Sequence, residues 1–440
     1  MTNFSVRLFD FSLSVNGFDI KKAKALLQEI KSKEDSAFEA YVEEKKWDIV
    51  SFHLKHNPFY KSFGKHISVN DWSTVPVMTK RHLQQPLNER LSEGYTVKNT
   101  YVNKTSGSSG DPFIFAKDKW CHAMTWAEIM DRFSWYNIDF NSSKQARFYG
   151  IPLDKKGYYK ERLKDSFSNR YRFSVFDLSD KAFDSCVEKF KTTSFNFING
   201  YTSPIVQFAK YLKRKQIILK DVCPSLKVCI VTSEMLYDDD KKTMETFFGV
   251  PVVNEYGASE LDLIAFENRD GQLQLNTETL YVEILDDNDL ALPAGSAGRV
   301  VITSLYNKAH PFIRYDIGDT GVISEHSGIK VPILEQLIGR TNDVAVLPSG
   351  KTAAGLTFYY ITKSIIEDDG NVKEFTIEQL ALDQFKINYA SASEISESKK
   401  AIITNEMETY LEPGISVVFE RHEKLIRTKA GKLKQFISRI

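Results

Sequence analysis

Short runs of β-branched and other apolar residues recur along the chain, separated by charged segments. Five of them are KVCIVTSE (227–234), PVVNEYG (251–257), LYVEILDD (280–287), GRVVITSL (298–305) and PFIRYDIGD (311–319). Each run has the length and composition of a strand, and helices capped by Asp and Lys alternate with them. Because strands that alternate with helices stack in layers, the pattern predicts an α/β fold.

The predicted helices are clearest in the first third of the chain. Residues 22–55 carry Ala, Leu, Ile and Phe at steps of three and four, which indicates helix. Asp118 precedes a second amphipathic stretch, KWCHAMTWAEIMDRFSWY (119–136), and Asp is a preferred N-cap residue. We therefore expect a helix that begins directly after Asp118.

The length of the chain, 440 residues, predicts two or three domains. A boundary is expected in IGRTNDV (338–344), because a hairpin, two strands, a helix and a further strand follow it in a βαββαβ-like order. The prediction is a large N-terminal multi-layer α/β domain over 1–338. A small C-terminal α+β domain over 339–440 would complete the chain.

Composition argues against several classes of function. Lys plus Arg and Asp plus Glu both total 58, so the net charge is zero and gives no general support for nucleic-acid binding. No apolar run approaches the roughly 20 residues of a membrane span, and the first residues lack a signal-peptide pattern. We therefore expect a cytoplasmic protein without a membrane span.

The four cysteines are too sparse for a disulfide framework. Cys223 and Cys229 lie in DVCPSLKVCIVTSEML (221–236), where the second lies beside an apolar run. No CxxC pair or nearby pair of histidines completes a metal site. We expect these thiols to pack in or beside a strand.

The stretch TSGSSGDP (105–112) lies between two predicted strands. Its hydroxyls and its two glycines would allow side-chain and backbone donors to converge on an anion. It is not a Walker-type loop, which leads from a strand into a helix and ends in Gly-Lys-Ser/Thr. A flexible surface turn is the alternative interpretation of the same composition.

Four later stretches place charged residues where a nucleotide site would use them. Glu260 ends VNEYGASE (253–260), and such a carboxylate is suited to Mg²⁺ bound through phosphate, or alternatively to helix capping. Asp316 and Asp319 follow in PFIRYDIGDTG (311–321), either for a ribose diol or as a solvated turn. Arg340 in GRTND could bind sugar or phosphate, and Lys432 in RTKAGKLKQF could contact a reacting carboxylate or belong to a solvated tail.

The order of these motifs resembles that of the adenylate-forming acyl ligase superfamily. The series runs from the hydroxyl–glycine loop through Tyr-Gly-x-Ser-Glu, Arg-Tyr-x-x-Gly-Asp and Gly-Arg-x-x-Asp to a terminal Gly-Lys. Within that superfamily the chain is most similar to the phenylacetate–coenzyme A ligase-like branch, including relatives encoded in capsular-polysaccharide clusters. The same resemblance extends over nearly the whole chain and includes NPFYKSF (57–63), VPVMTK (75–80), TSEML (232–236) and ITSLYNKAHPFIRYDIGD (302–319).

The resemblance implies that ATP and Mg²⁺ convert a carboxylic acid into an acyl-adenylate with release of pyrophosphate. It assigns the β- and γ-phosphates of ATP to a loop made of Thr105, Ser106, Gly107, Ser108, Ser109 and Gly110. It assigns the surroundings of adenine and the acyl group to Ser233, Glu234, Asn254, Glu255, Tyr256, Gly257 and Ser259. Glu260 would hold Mg²⁺, Asp319 would bind the ribose with help from Arg340, and Lys432 would bridge the carboxylate and the α-phosphate.

These roles suit the reaction, because a carboxylate is repelled by an anionic phosphate. Mg²⁺ and Lys432 would neutralise the charge that develops at the α-phosphate, while the other contacts fix an in-line approach. The resemblance also explains the absence of a lysine in the loop, since the cation would come from a mobile C-terminal domain. That domain would rotate about Asn342, two residues after the motif arginine.

The sequence departs from the family pattern at three points. Asp111 stands where a lysine is common, and Asn342 replaces the usual Asp or Lys of the hinge. The segment after Glu260 lacks the cysteines of some phenylacetate-type relatives, so we predict no zinc. For the acyl pocket we select Tyr149, Gly150 and Tyr201, because a glycine beside an aromatic residue permits close approach.

Three functions remain open on the sequence alone. The acyl group could pass to coenzyme A, which makes the chain an acid–thiol ligase. It could instead pass to an amine, such as an amino sugar or amino acid, or to a carrier protein in polysaccharide or secondary-metabolite biosynthesis. The third possibility is a nucleotide-binding protein without turnover.

Overall fold

A computed structural model describes residues 8–83, 85–104, 114–150, 159, 161–165, 168–175, 177–340, 344–350, 352–354, 372–426 and 436–440, with the side chains of 338–340, 344, 352, 354 and 373 left out. The chain forms two compact units. The first contains residues 1–317 and 322–335, and the second contains 318–321 and 336–440. The predicted boundary after residue 338 and the predicted hinge stay predictions.

Helices of the first unit are α1 (Leu8–Val15), α2 (Ile20–Ser32), α3 (Asp35–His56), α4 (Pro58–Phe63), α5 (Leu87–Arg90), α6 (Lys119–Ser134), α7 (Asp180–Lys191), α8 (Thr202–Lys215), α9 (Leu219–Val222) and α10 (Asp238–Phe248). The predicted helical stretch 22–55 is helical, but it is divided between α2 and α3. The division lies at Lys33 and Glu34, which both have extended backbone.

A seven-stranded sheet forms the centre of the first unit. Its strands are β4 (Gln145–Phe148), β5 (Arg170–Phe173), β6 (Phe197–Tyr201), β7 (Val228–Thr232), β8 (Val252–Ala258), β9 (Asp262–Glu267) and β10 (Leu273–Leu275), in the order β10-β9-β8-β7-β6-β4-β5. The five strands from β5 to β8 are parallel, and β9 and β10 are antiparallel to their neighbours. The predicted α/β class is confirmed.

Both faces of this sheet are covered, as alternation along β7 illustrates. Cys229 and Val231 pack with α7, α8 and α10 on one face, whereas Val228 and Ile230 pack with Phe133 of α6 on the other. Successive strand residues point to opposite faces, so two apolar layers require an almost continuous apolar strand. Cys229 packs within a strand, as predicted, and Cys223 is buried close to it.

A second sheet contains β1 (Met78–Thr79), β11 (Leu280–Leu285), β12 (Ala297–Ser304), β13 (Tyr315–Ile323) and β14 (Leu334–Arg340). Its order is β1-β13-β12-β11, and β14 also pairs with β13. Strand β13 crosses the division between the units, because its residues 318–321 group with the second unit. The last five residues of the motif PFIRYDIGD, Tyr315–Asp319, are the first five residues of β13.

The hydroxyl–glycine stretch connects two paired strands, as predicted. Strand β2 (Tyr101–Lys104) runs antiparallel to β3 (Ile114–Lys117), and Lys104 is the register partner of Ile114. The connecting residues 105–113 lie outside the described residues. Asp118 then begins α6, because its carboxylate accepts hydrogen bonds from the N–H groups of Trp120 and Cys121, both at 2.9 Å. The predicted N-cap is confirmed.

The second unit contains β15 (Val344–Val346), β16 (Thr352–Ala354), β17 (Val372–Ala381), β18 (Gln384–Ser391), α11 (Glu397–Tyr410), β19 (Ser416–His422) and β20 (Phe436–Ser438). The sheet order is β19-β18-β17-β20, and β15 and β16 form a separate hairpin. Ile403 and Met407 of α11 pack on Ile377, Phe385 and Ile387 of the sheet. This is the predicted small α+β arrangement, with its strand pair, helix and following strand.

Candidate functional site

The carboxyl ends of four parallel strands bring several predicted site residues to one edge of the seven-stranded sheet. Phe148 pairs with Gly200, so Tyr149 follows β4 beside the end of β6. Tyr201 then pairs with Thr232, and Thr232 pairs with Glu255. Ligands of open α/β sheets bind at this kind of edge. The strand register therefore gathers residues from Tyr149 to Glu255, which are more than 100 positions apart in sequence.

Tyr149 and Tyr201, selected for the acyl pocket, are in contact. Their ring centroids are 4.5 Å apart with the planes tilted by 50°. Gly200 allows this approach, because a Cβ atom there would overlap the carbonyl oxygen of Phe148. The third selection, Gly150, follows Tyr149, and its carbonyl oxygen accepts a hydrogen bond from Arg172 at 3.1 Å. The selected residues lie together, and their role in binding an acyl group stays a prediction.

Arg147 is a residue of this edge that the sequence analysis missed. Its guanidinium lies over the ring of Tyr149, 4.2 Å from the centroid. Alternation along β4 places Arg147 on the same face as Tyr149, and its register partners are Asn199 in β6 and Arg172 in β5. An arginine in a short strand is the only sequence signal for it, and that signal is weak.

Glu255 adds a carboxylate to the same edge. Burial raises its pKa to about 7, although a hydrogen bond with Thr232 and the charge of Arg147 both favour the ionised form. The charge of Asp262 raises this pKa further. Glu255 is therefore close to half protonated near neutral pH, unlike an ordinary glutamate.

Ser233 and Glu234 follow β7 directly and have different environments. Ser233 is exposed and has a φ of 72°, a left-handed conformation that non-glycine residues rarely adopt outside turns and functional sites. Glu234 accepts a hydrogen bond from the Ser203 N–H at 2.7 Å, and its carbonyl oxygen accepts one from the Thr202 hydroxyl at 3.1 Å. Its carboxylate thus caps α8, whose N-cap Tyr201 provides no side-chain cap.

The Tyr-Gly-x-Ser-Glu motif (256–260) covers the end of β8 and the turn into β9. Tyr256 is buried, and the ladder between β8 and β9 shifts register between Tyr256 and Gly257. A Cβ atom at Gly257 would overlap the carbonyl oxygen of Asp262, so the tight turn requires glycine. Ser259 is exposed in this turn, while the Asn254 N–H donates a hydrogen bond to Glu267 at 2.8 Å.

Glu260, the predicted magnesium ligand, is buried at the end of this turn with a relative exposure of 7%. The Tyr315 hydroxyl donates a hydrogen bond to Glu260 Oε1 at 2.9 Å, which fixes the orientation of the carboxylate. Mg²⁺ uses one or two protein carboxylates together with phosphate oxygens, and a single oriented carboxylate fits that requirement. Within the described parts of the chain, His, Cys, Asp and Glu side chains form no cluster of three or more that could hold a metal ion.

Lys117 and Asp262 form a second feature that sequence reasoning missed. Lys117 is the last residue of β3, the strand that follows the hydroxyl–glycine stretch, and its side chain is 2% exposed. It forms an ion pair with Asp262, which lies two residues after Glu260 and has a φ of 58°. The pair joins the paired strands β2 and β3 to the turn that carries Glu260. Because the two residues are far apart in sequence, no local pattern predicts that they are partners.

The remaining predicted residues have less structural description. Asp319 is buried within β13 at 7% exposure, and it belongs to the part of that strand that groups with the second unit. Arg340 ends β14, and its side chain lies outside the described residues. The loop of residues 105–110, Asp111, the hinge residue Asn342 and the catalytic candidate Lys432 also lie outside them. Their predicted roles stay predictions.

Comparison with solved structures defines the class of fold. The structure of 2-hydroxyisobutyryl-CoA ligase in the postadenylation state, in complex with 2-HIB-AMP, matches with a TM-score of 0.70 at 17% identity over 92% of this chain and 90% of that one. The amide bond synthetase McbA of Marinactinospora thermotolerans matches with a TM-score of 0.53 at 15% identity over 76% and 68% of the two chains. The chain therefore has the fold of the adenylate-forming ligases.

Curated proteins give the nearer resemblance in sequence. The chain is 23% identical to Protein CapK of Staphylococcus aureus over 304 residues, which is 66% of this chain and 65% of CapK. It is similar to the phenylacetate-coenzyme A ligases of Pseudomonas putida (23% over 56% of each chain) and Aromatoleum evansii (30% over 28% of this chain and 29% of that one). The chain thus spans less than two thirds of the length of these relatives. The predicted resemblance is confirmed.

No protein-family model matches the chain. In the part of the chain that the structure describes, none of the helices has both the length and the hydropathy needed to cross a bilayer.

Proposed function

We propose that this protein activates a carboxylic acid with ATP, forming an acyl-adenylate and releasing pyrophosphate. The observation that carries the proposal is the fold match over 92% of the chain to a ligase whose structure holds an acyl-AMP. The motifs of the resemblance support it further, since those that follow β7 and β8 lie at one edge of the parallel sheet. The curated relatives named as phenylacetate-coenzyme A ligases agree with the same reaction.

In the proposed reaction, the chain binds and aligns charged groups that otherwise repel each other. Residues 105–110 hold the β- and γ-phosphates, and Glu260 holds Mg²⁺ with its carboxylate oriented by Tyr315. Asp319 binds the ribose hydroxyls with assistance from Arg340. Lys432 neutralises the α-phosphate as the carboxylate attacks. A bound Mg²⁺ would add charge neutralisation at the phosphates.

The acyl group then passes to an acceptor, for which coenzyme A is the first candidate. The relatives named as coenzyme A ligases favour a thiol. Transfer to an amine or a carrier protein is the second candidate, because one structural neighbour is an amide bond synthetase. Both acceptors attack the same activated carbonyl and release AMP, so the first half of the reaction is common to them.

The test is acid-dependent exchange of pyrophosphate with ATP across a panel of aryl and aliphatic acids. We expect exchange that requires both Mg²⁺ and one class of acid. Glu260→Gln should lower the exchange rate by about 10²–10³ because the metal loses its protein carboxylate. Glu325→Gln, on the surface of the same unit, serves as the matched control and should keep the rate. Nucleotide binding without exchange for any acid would instead support a non-catalytic protein.

Coenzyme A and amines are then added separately to the reaction with the acid that gives exchange. A thioester that appears only with coenzyme A identifies an acid–thiol ligase. An amide that forms with amino sugars or amino acids, in the absence of a thioester, identifies the alternative.

A further inference from the structure

Three arginines lie side by side on one face of strands β4 and β5. Arg147 and Arg172 are register partners across the two strands, and Arg170 is two residues before Arg172 on the same face. Like charges at this spacing repel each other, so each guanidinium needs a nearby anion.

Two of the three arginines have such anions. Asp165 accepts hydrogen bonds from Arg170 at 2.6 Å and from Arg172 at 3.0 Å and 3.1 Å. Glu161 accepts a further bond from Arg172 at 3.0 Å. Asp165 is 2% exposed, so these ion pairs are largely removed from water. The carboxylates of this corner are therefore engaged by Arg170 and Arg172.

Arg147 has a different environment from its two neighbours. Its guanidinium is stacked over Tyr149, and its buried Nε atom has no hydrogen-bond partner among the described residues. An N–H group of a cation that is removed from water without an acceptor is costly. Arg147 as a whole is only half-buried, so the outer N–H groups of its guanidinium can be reached by an acceptor on a ligand.

The carboxylate that faces Arg147 from β8 does not compensate for this charge fully. Glu255 holds its proton to about pH 7, so near neutral pH it is only partly ionised. Glu234, the other acid beside Tyr201, is engaged at the start of α8 by the Ser203 N–H. Among the described residues, Arg147 forms no ion pair or hydrogen bond with either carboxylate, so its N–H groups stay available at the end of β4, beside Tyr149 and Tyr201.

We propose that Arg147 is a subsite for a second anionic group on the acid that this protein activates. The substrate class is then a dicarboxylic or similarly diacidic compound, whose remote anion pairs with Arg147 while its carbon skeleton packs on Tyr149 and Tyr201. This inference rests on the proposed function, because it places the acyl group at the same sheet edge. It extends that function by specifying which acids are selected.

The experiment compares acids that differ only in the remote group. Glutarate is paired with glutaramate, and terephthalate with 4-carbamoylbenzoate, so that a neutral amide replaces the remote carboxylate at nearly the same size. Each acid is tested in ATP–pyrophosphate exchange with the wild type, Arg147→Gln and Arg147→Lys. Arg214→Gln is the control, because Arg214 makes an exposed ion pair with Asp180 on the helical side of the unit.

The wild type should prefer one of the diacids to its amide by about 10–100-fold in kcat/KM, the effect of one charge-assisted hydrogen bond. Arg147→Gln should abolish this preference through KM of the diacid, and Arg147→Lys should keep part of it. The control should keep it fully. A wild type that favours the amides, or an Arg147→Gln variant that keeps the diacid preference, overturns the proposal.

A second measurement separates the subsite from the reaction. Thermal unfolding of each protein is followed with the four acids in the presence of ATP and Mg²⁺. A diacid should raise the unfolding temperature of the wild type more than its amide does, and Arg147→Gln should remove that difference. If no acid supports exchange, the proposed function fails, and this difference alone decides the subsite. Equal shifts for the diacid and the amide in the wild type overturn it.

Discussion

Glu255 is the residue of the candidate site whose protonation should be visible in the stability of the protein. The folded protein holds the proton of Glu255 to about pH 7, whereas the ordinary pKa is 4.5. As the pH rises above about 4.5, the unfolded chain ionises first and gains stability relative to the folded protein. The contribution of Glu255 to folding therefore falls with rising pH, and this loss is complete above about pH 7.

Glu255→Gln removes this titration. The free energy of unfolding of the variant, relative to the wild type, should rise by about 1–3 kcal/mol between about pH 5 and about pH 8. The lower end allows for the solvent that reaches this partly exposed side chain. Urea unfolding at the two pH values measures the effect. The same difference between variant and wild type at both values would contradict a raised pKa.

Residues of the site divide into those that a motif reveals and those that only tertiary contact reveals. Tyr201 and Glu255 could be selected because each lies in a short run that ends in a recognisable pattern. Arg147 and Lys117 could not, because their importance comes from partners on other strands. Glu234 shows the opposite case, since its place in a motif did not predict that it caps α8. Local patterns carry no information about such long-range partners.

Among the helices, α6 should depend strongly on its N-cap. The Asp118 carboxylate accepts bonds from two helical N–H groups and from the Lys308 N–H at 2.7 Å, and the residue is buried. Asp118→Ala leaves these donors unsatisfied and should cost about 2 kcal/mol of unfolding free energy. Asp19 caps α2 through a single bond to the Lys22 N–H at an exposed position, so Asp19→Ala should cost about 1 kcal/mol or less.

Urea unfolding of the two N-cap variants at one pH tests this difference. Asn can replace Asp as an N-cap, so Asp118→Asn should recover part of the loss. An equal cost for both alanine variants would mean that the cap of α6 has no special role in joining it to the loop before β13.

Between strands, β4 and β6 require a glycine where they approach each other. A Cβ atom at Gly200 would overlap the backbone of Phe148, which cannot move independently of the sheet. Gly200→Ala should therefore cost about 1–3 kcal/mol and displace Tyr149 from Tyr201. Gly328→Ala is the matched control, because a Cβ atom there meets nothing within 4 Å. Chemical denaturation measures the free energy of unfolding of both variants. Equal values for Gly200→Ala and Gly328→Ala would show that β4 and β6 can move apart without a loss of stability.

The elements themselves were more predictable than their ends. The strand runs and the cap at Asp118 follow from composition and spacing alone, because they are local properties of the chain. The interruption of the first helical stretch at Lys33 and Glu34 was not predicted, since neither residue is a helix breaker by type. Ala23 of α2, Phe38 of α3 and Ala127 of α6 are buried in one cluster, so the break allows both α2 and α3 to contribute to the same core.

For the whole molecule, the division into two units relates the fold to the proposed sequence of steps. The first unit contains Glu260 and the strand ends, whereas the second contains Asp319 and the C-terminal stretch with Lys432. A reaction that uses residues of both units in its first half can dispense with some of them in its second. The two half-reactions have different substrates, so the contribution of a residue to each of them can be measured separately in solution.

Lys432→Ala should therefore affect the two half-reactions unequally. Its ammonium is proposed to neutralise the α-phosphate as the carboxylate attacks, so acid-dependent pyrophosphate exchange should fall by about 10²–10³. Transfer from a chemically synthesised acyl-adenylate to the acceptor should stay within a few-fold of the wild type, because in that step the acceptor attacks the acyl carbon, AMP leaves, and no carboxylate has to approach phosphorus. Lys434→Ala, two residues away in the same basic stretch, is the control and should keep both rates. An equal loss in exchange and in transfer would assign Lys432 to folding or to acceptor binding, and an unchanged exchange rate would require another cation at the phosphate.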